Sequence, residues 1–328
     1  MSEIGRRRLL FGVAALLSSP LTGKAQQEKV WRIGFLQGGA RPPNGLPPLA
    51  LREGLAKLGY VEGKNVLYEG RWADAKFVRL PALAAELVQG RVDAIVVLGW
   101  PACQALKRAT TSIPIVAAGV GDAVESGLVA SLSKPGGNIT GMSDVEIELS
   151  SKRLQLLKET FPKAHRIAVL WNQDDVGMTL RYRRLESAAR SLAVTVQALG
   201  VRAPDDFSTA FSSMIRERPD ALFMVTDALT ALNRKLVIEF AATHRLPAMF
   251  EASSYVRDGG LMSYGRNVED SFRRVAYFVD RIFKGAKPAD LAMEQPTKFE
   301  LAINMKTAKA LGIAIPQSIL LRADEVIE

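Results

Sequence analysis

Short apolar runs alternate with amphipathic helical segments along this chain, and the alternation breaks once, at Pro135-Gly136-Gly137-Asn138. A Pro-Gly-Gly-Asn turn cannot continue a helix, and the Ile139–Ser143 segment beyond it is short, apolar and β-compatible. Past Asp144 the same alternation starts again. Two readings follow: a connector between two α/β lobes, or a surface loop inside one large domain. At 328 residues the chain is long for a single core, which favours two lobes.

The runs before the turn are Val30–Leu36, Asn65–Trp72, Val92–Leu98 and Ile113–Ala118. Between them Leu51, Leu55 and Leu58 recur at helical spacing, as do Phe77, Leu80, Leu83 and Leu87, and a short helix runs to about Ala109. Val92–Leu98 (VDAIVVL) is almost continuously apolar, as a parallel strand covered on both faces must be. After the turn come a helix over Ser151–Phe161 and strands at Arg166–Trp171, Thr195–Val201, Ala221–Val225 and Pro247–Phe250, with helices between them. The expected fold is therefore α/β, two doubly wound parallel-sheet lobes with a ligand cleft between them. Gly259–Gly265 again forms a short glycine-flanked strand, and so late in the chain it is expected to cross back into the first lobe. The predicted boundaries are 1–25 as a leader, 26–145 with 255–285 as the first lobe, and 146–254 with 286–328 as the second.

The leader has the anatomy of an export signal. Arg6-Arg7-Arg8 precede the apolar run Leu9–Leu17, and Gly23-Lys24-Ala25 offers small residues for cleavage before Gln26. The run is too short to span a bilayer, and the adjacent arginines also suit a twin-arginine signal. The formal charge is +9, of which Arg6, Arg7, Arg8 and Lys24 against Glu3 place +3 in the leader and leave +6 elsewhere. That excess is scattered among acidic residues, so nucleic acid is not an expected partner. Cys103 is the single cysteine, which excludes an intramolecular disulfide, and the end of the leader lacks a cysteine for lipid attachment. The expected compartment is the periplasm.

Ligands of open α/β sheets bind beyond the carboxyl ends of the strands. The loops at those ends supply Gln37, Gly38, Gly99, Trp100, Asp122, Asn172, Asp174, Thr226, Asp227, Ser253 and Ser254 as candidate ligand-binding residues. Several precede helix N-termini, whose free N–H groups suit an anion. Asp122 and Asp227 are placed to meet a ligand ammonium, and Trp100 or Tyr255 to stack on an aromatic body. The competing role of each aspartate is to cap the following helix, and Trp100 has the alternative of packing within its lobe. No catalytic elbow, phosphate loop, complete dinucleotide fingerprint or metal-ligand spacing of His165 and His244 is present, so neither an enzyme nor a cofactor is expected.

Over Arg32–Glu328 the segments RIGFLQGG, LREGLAKLGYVEGKNV, LVASLSKPGGNITGMS, LMSYGRN and KGAKPADLAMEQPTKFELAINMKTAKALG resemble the ABC-transporter substrate-binding proteins related to the tryptophan/tyrosine-binding type. The resemblance implies a type I periplasmic-binding-protein fold with three inter-lobe crossings. It also implies a monomer that traps a small solute, an amino acid or a small aromatic carboxylate, by hinge closure and delivers it to an inner-membrane ABC permease. A ligand sensor facing a membrane receptor and an exported α/β enzyme are the alternatives. In amino-acid-binding members a second-domain aspartate holds the ammonium, and Asp227 in VTDAL matches that position, while Asp122 in GVGDAVESGLV matches the family's Gly-Asp element. The chain departs from the pattern at Trp100, where a small or hydroxyl residue is common, and at Ala228, where proline or asparagine is frequent. Both changes alter the size and polarity of the pocket.

Overall fold

The computed structural model describes residues 29–328, so the export leader expected at 1–25 lies outside the described residues. The first lobe is built from β1 (Trp31–Gln37), α1 (Leu49–Lys57), β2 (Val66–Trp72), α2 (Leu80–Gln89), β3 (Ala94–Leu98), α3 (Trp100–Ala109), β4 (Ile115–Ala118) and β5 (Ile139–Met142). Its five strands are all parallel, in the order β2-β1-β3-β4-β5. One face of this sheet buries Leu83, Leu87 and Leu106 from α2 and α3. The other face buries Leu51 and Leu55 of α1.

The second lobe begins with α4 (Glu146–Thr160) and continues through β6 (Arg166–Asn172), α5 (Val176–Ser191), β7 (Thr195–Val201), α6 (Asp206–Glu217) and β8 (Ala221–Met224). There follow α7 (Ala228–Leu232), α8 (Arg234–Thr243), β9 (Ala248–Phe250), α9 (Ser253–Arg257) and β10 (Met262–Arg266). Then α10 (Val268–Phe283) returns to the first lobe, and β11 (Phe299–Asn304), α11 (Met305–Leu311), α12 (Gln317–Leu320) and β12 (Glu325–Ile327) complete the second. The seven-stranded sheet runs β12-β11-β10-β9-β8-β6-β7, and β10 with β11 is its one antiparallel pair.

The expected doubly wound lobes are present, but the structure moves their boundaries. Residues 255–266 belong to the second lobe, because β10 pairs with β9 on one side and β11 on the other. The return to the first lobe is made by a helix instead of a strand. α10 lays Phe272, Val275, Phe278 and Val279 on the α1 face of the sheet, and Trp31 stacks on Phe283 with ring centroids 3.9 Å apart. Residues 286–294 also stay with the first lobe. Met293 N donates to the Leu132 carbonyl, Glu294 N to that of Gly141, and Thr140 Oγ1 to that of Leu291. Between β8 and β9 the chain forms two helices, α7 and α8, separated by Asn233. Helix α4 starts at Glu146, five residues before the apolar periodicity shows it.

Three crossings thus join the lobes, at 142–146, 266–268 and 294–299. They lie together: Ser143 N donates to the Glu294 carbonyl, and Arg266 Nε stands 3.0 Å from Asp144 Oδ1. The Pro135–Asn138 turn sits at the opposite end of β5, so the first crossing begins after the strand and not at the glycines of that turn. Gly141, beside the first crossing, has φ +116°, and a Cβ there would collide with the Ala117 carbonyl oxygen and approach the Ala117 nitrogen to 2.6 Å. Backbone cannot move aside as a side-chain tip can. Gly141→Ala is expected to lower the unfolding free energy by about 1–3 kcal/mol or more in urea titrations. An unchanged midpoint would show that β4 and β5 tolerate separation.

Candidate functional site

A cavity of about 480 Å³ lies between the carboxyl ends of the two sheets, on the side of the cleft where the crossings lie. The first lobe contributes the loop after β1, Phe77 and the first turn of α3; the second contributes the N-terminal ends of α5 and α7, with Arg181 and Tyr255. The rims touch. A Cβ on Gly38 would stand 3.2 Å from the Cβ of Ala228, and Ala75 packs against the apolar core of the second lobe. A Cβ on Gly177, at the start of α5, would lie 3.9 Å from the Cβ of Trp100. The lobes are therefore closed on one another around the cavity.

Seven of the eleven sequence-predicted residues line it: Gln37, Gly38, Gly99, Trp100, Thr226, Asp227 and Ser254. The other four do not. Asp122 turns back on its own loop and accepts from Val124 N and Glu125 N, each at 2.9 Å. Asp174 is exposed and paired to Arg202 at 3.3 Å. Ser253 opens α9 outside the cavity lining. Asn172 is buried behind the wall, where its Nδ2 donates to Asp227 Oδ2 at 2.6 Å.

Asp227 and its neighbour Asp175 both cap helices, which is the competing role foreseen for such positions. Asp227 accepts from Thr230 N at 2.9 Å, and Thr230 Oγ1 accepts from Asp227 N, a capping box that fixes the carboxylate at the cavity wall. Asp175 Oδ1 accepts from Gly177 N at 2.8 Å and Met178 N at 3.3 Å. Capping leaves each carboxylate facing the cavity, so structural and ligand-facing roles coincide. Burial raises the pKa of both, and the Asp227 charge adds to the burial of Asp175 to push it up to about 6.

Below the cavity lies a cluster of charges that sequence reading did not find. Arg153 is completely buried on α4, with Nη1 2.7 Å from Glu146 Oε2 and 3.0 Å from Glu251 Oε1. Arg181 of α5 pairs with the same two glutamates, at 3.0 Å to Glu146. Burial alone would raise Glu146, but the Arg153 and Arg181 charges outweigh it and hold it down at about 2. Glu251 Oε2 also accepts from Thr226 N at 2.9 Å, and Arg153 Nε donates to the Tyr264 carbonyl at 2.5 Å. Beside this cluster Arg266 binds Asp144, the Ala118 carbonyl at 3.2 Å and Ser271 Oγ at 2.7 Å. Each arginine sits among polar residues on its helix or strand, so in sequence it reads as a solvated face.

A family model described as ABC transporter substrate binding protein matches residues 49–327. The chain belongs to that family. It is 28% identical over 291 residues to a tyrosine-binding protein of Clostridioides difficile (strain R20291), a match covering 88% of this chain and 83% of the relative. Among solved structures, a conserved domain protein from Vibrio cholerae superposes with TM-score 0.85 at 28% identity, covering 91% of this chain and all of that one. An ABC domain in complex with L-Trp from Streptococcus pneumonia gives 0.84 at 27% identity with the same coverage. The ligand-free, open structure of a substrate binding protein with adhesive properties from Clostridium difficile gives only 0.64 at 26% identity, although 91% of this chain and 99% of that one are covered.

Two outcomes are expected of the site's charges. Removing one member of the buried quartet leaves an uncompensated charge, so Glu251→Ala should cost about 3–5 kcal/mol of stability in urea unfolding; a loss below about 1 kcal/mol would mean that water replaces the glutamate freely. Asp175 holds its proton more tightly folded than unfolded, so its ionisation destabilises the native state as pH rises from the ordinary 3.8 through about 6. Asp175→Asn, which retains a capping side chain, should therefore gain stability relative to the parent across that window, on the order of 2 kcal/mol, and hold the gain above it. A difference in melting free energy that does not change with pH would remove Asp175 from the buried wall.

Proposed function

We propose that this protein is the exported solute-binding component of an ABC importer, acting as a monomer that captures an amino acid with an aromatic or apolar body between its lobes and presents it to an inner-membrane permease. The observation that carries this reading is the cavity between the lobes, whose volume of about 480 Å³ lies in the usual range for small-ligand pockets. Phe77, Trp100 and Tyr255 supply apolar walls for a ring, and Asp227 stands where the resemblance puts an ammonium partner. The first turn of α3 adds free backbone N–H groups for a carboxylate, with Pro101 lacking one. The relatives point the same way, one being named tyrosine-binding and another holding L-Trp.

Closure is the mechanical part of the proposal. At nearly equal identity, this chain superposes far better on the L-Trp complex than on the ligand-free open structure. Such a difference arises when lobes of similar fold are set at different angles. Opening would separate Gly38 from Ala228 and Trp100 from Gly177, exposing the cavity, while the three adjacent crossings absorb the rotation. A solute that contacts both walls favours the closed state by its differential affinity. Among the described residues no helix is long and apolar enough to cross a membrane.

The test is a thermal-shift screen of the proteinogenic amino acids, followed by small-angle scattering with any that stabilise. A specific ligand at a hundredfold excess over its Kd should add about 2.7 kcal/mol to the unfolding free energy, and the radius of gyration should fall on binding. If no amino acid moves the midpoint, the reading of the cleft as an amino-acid site fails. If one stabilises without compaction, closure is the part that fails.

A further inference from the structure

The carboxylates on the cavity wall divide into two groups. Asp144, Glu146 and Glu251 each have an arginine within ion-pair distance. Asp175 and Asp227 have none among the described residues. Asp175 is only 2% exposed, and no described residue donates to its Oδ2. Gly177 separates it from Trp100: a Cβ there would be 3.2 Å from Asp175 Oδ1 and 3.9 Å from Trp100 Cβ.

Cationic side chains on the same wall are already matched. Arg181 shares Glu146 and Glu251 with Arg153, so the quartet is neutral. Arg266 is matched by Asp144, and Arg234 by Asp258 at 2.6 Å. The cavity wall therefore carries two buried carboxyl groups without a cationic partner and no guanidinium without a carboxylate. Two donors of the lining residues lack a partner, Trp100 Nε1, which is neutral, and Arg181 Nε, whose guanidinium charge is balanced by Glu146 and Glu251.

We propose that recognition in this cleft is set by a cationic nitrogen of the ligand held between Asp175 and Asp227, and that a ligand carboxylate is dispensable. This rests on the cleft being the solute site, and it widens the ligand class from amino acids to aromatic and apolar primary amines. A buried carboxylate without a countercharge is costly, and a ligand ammonium supplies that charge. The pressure on Asp175, whose burial and neighbouring Asp227 charge hold it near about 6, is relieved by the same cation. A ligand carboxylate meets neutral backbone and indole N–H groups and, at Arg181, a guanidinium whose charge Glu146 and Glu251 already balance, so it finds no unmatched positive charge. Deaminated acids would add a third negative charge to the cavity.

The test is calorimetric titration of the leader-free chain with three matched probes: L-tryptophan, tryptamine and indolepropionate, and the corresponding tyrosine series. Tryptamine or tyramine should bind within about tenfold of its amino acid, and the deaminated acid at least about a hundredfold more weakly. Asp175→Asn should weaken amine and amino acid alike by about thirtyfold or more, while circular dichroism and the ligand-free melting transition show a folded protein. An acid that binds within about tenfold of the amino acid, an amine that fails where the amino acid binds, or unchanged affinities in Asp175→Asn would each overturn the proposal. Amine binding where no amino acid binds would uphold it and overturn the amino-acid reading. Silence from all probes would overturn both.

Discussion

The buried quartet of Arg153, Arg181, Glu146 and Glu251 adds a polar tie between elements that also share the apolar core of the second lobe. Glu146 opens α4 at the end of the first crossing, Arg181 lies just over one turn inside α5, and Glu251 follows the strand β9. Two guanidiniums sharing two carboxylates fix the angle of both helices against the sheet edge. Glu251 then reaches the backbone of Thr226, so the loop that carries Asp227 is held by the same charges. Desolvating four charges is expensive, and hydrophobic residues of similar volume would often be as stable. Such a cluster gives directional fixing of loops that apolar contacts cannot, because hydrophobic burial has no preferred orientation.

Charge matching also separates the floor of the cleft from its wall. On the floor every arginine faces a carboxylate, which leaves nothing for a ligand to neutralise. On the wall, Asp175 and Asp227 satisfy helix N-termini instead of cations. A capping carboxylate interacts with partial charges of the helix end, so much of its negative charge remains to be met. The same residues therefore hold α5 and α7 in place and keep a field in the cavity.

Much of the architecture was legible in the chain because parallel strands are buried on both faces. Runs such as Val92–Leu98 and Ala221–Val225 contain almost no polar residue, and their ends are marked by glycine, proline or aspartate. The loops at those ends follow, and with them most of the cavity lining. What failed was finer. In Gln173-Asp174-Asp175 the helix start decides which aspartate caps and faces inward, and a one-residue shift exchanges a buried group for an exposed one. β10 looked like a crossing strand because glycines and a short apolar run say nothing about which sheet receives it. The arginines were invisible for a physical reason: a charge buried among charges has the same local sequence as one in water.

The return of α10 to the first lobe has a consequence for how the molecule comes into being. The α1 face of the first sheet is finished only when Phe272, Val275, Phe278 and Val279 arrive, well over a hundred residues after β5. At ordinary elongation speeds that is a delay of roughly ten seconds, during which a nascent five-stranded sheet shows an uncovered apolar face. A chain with this connectivity cannot mature domain by domain from the ribosome. It stays receptive to chaperones until nearly all of it has been made.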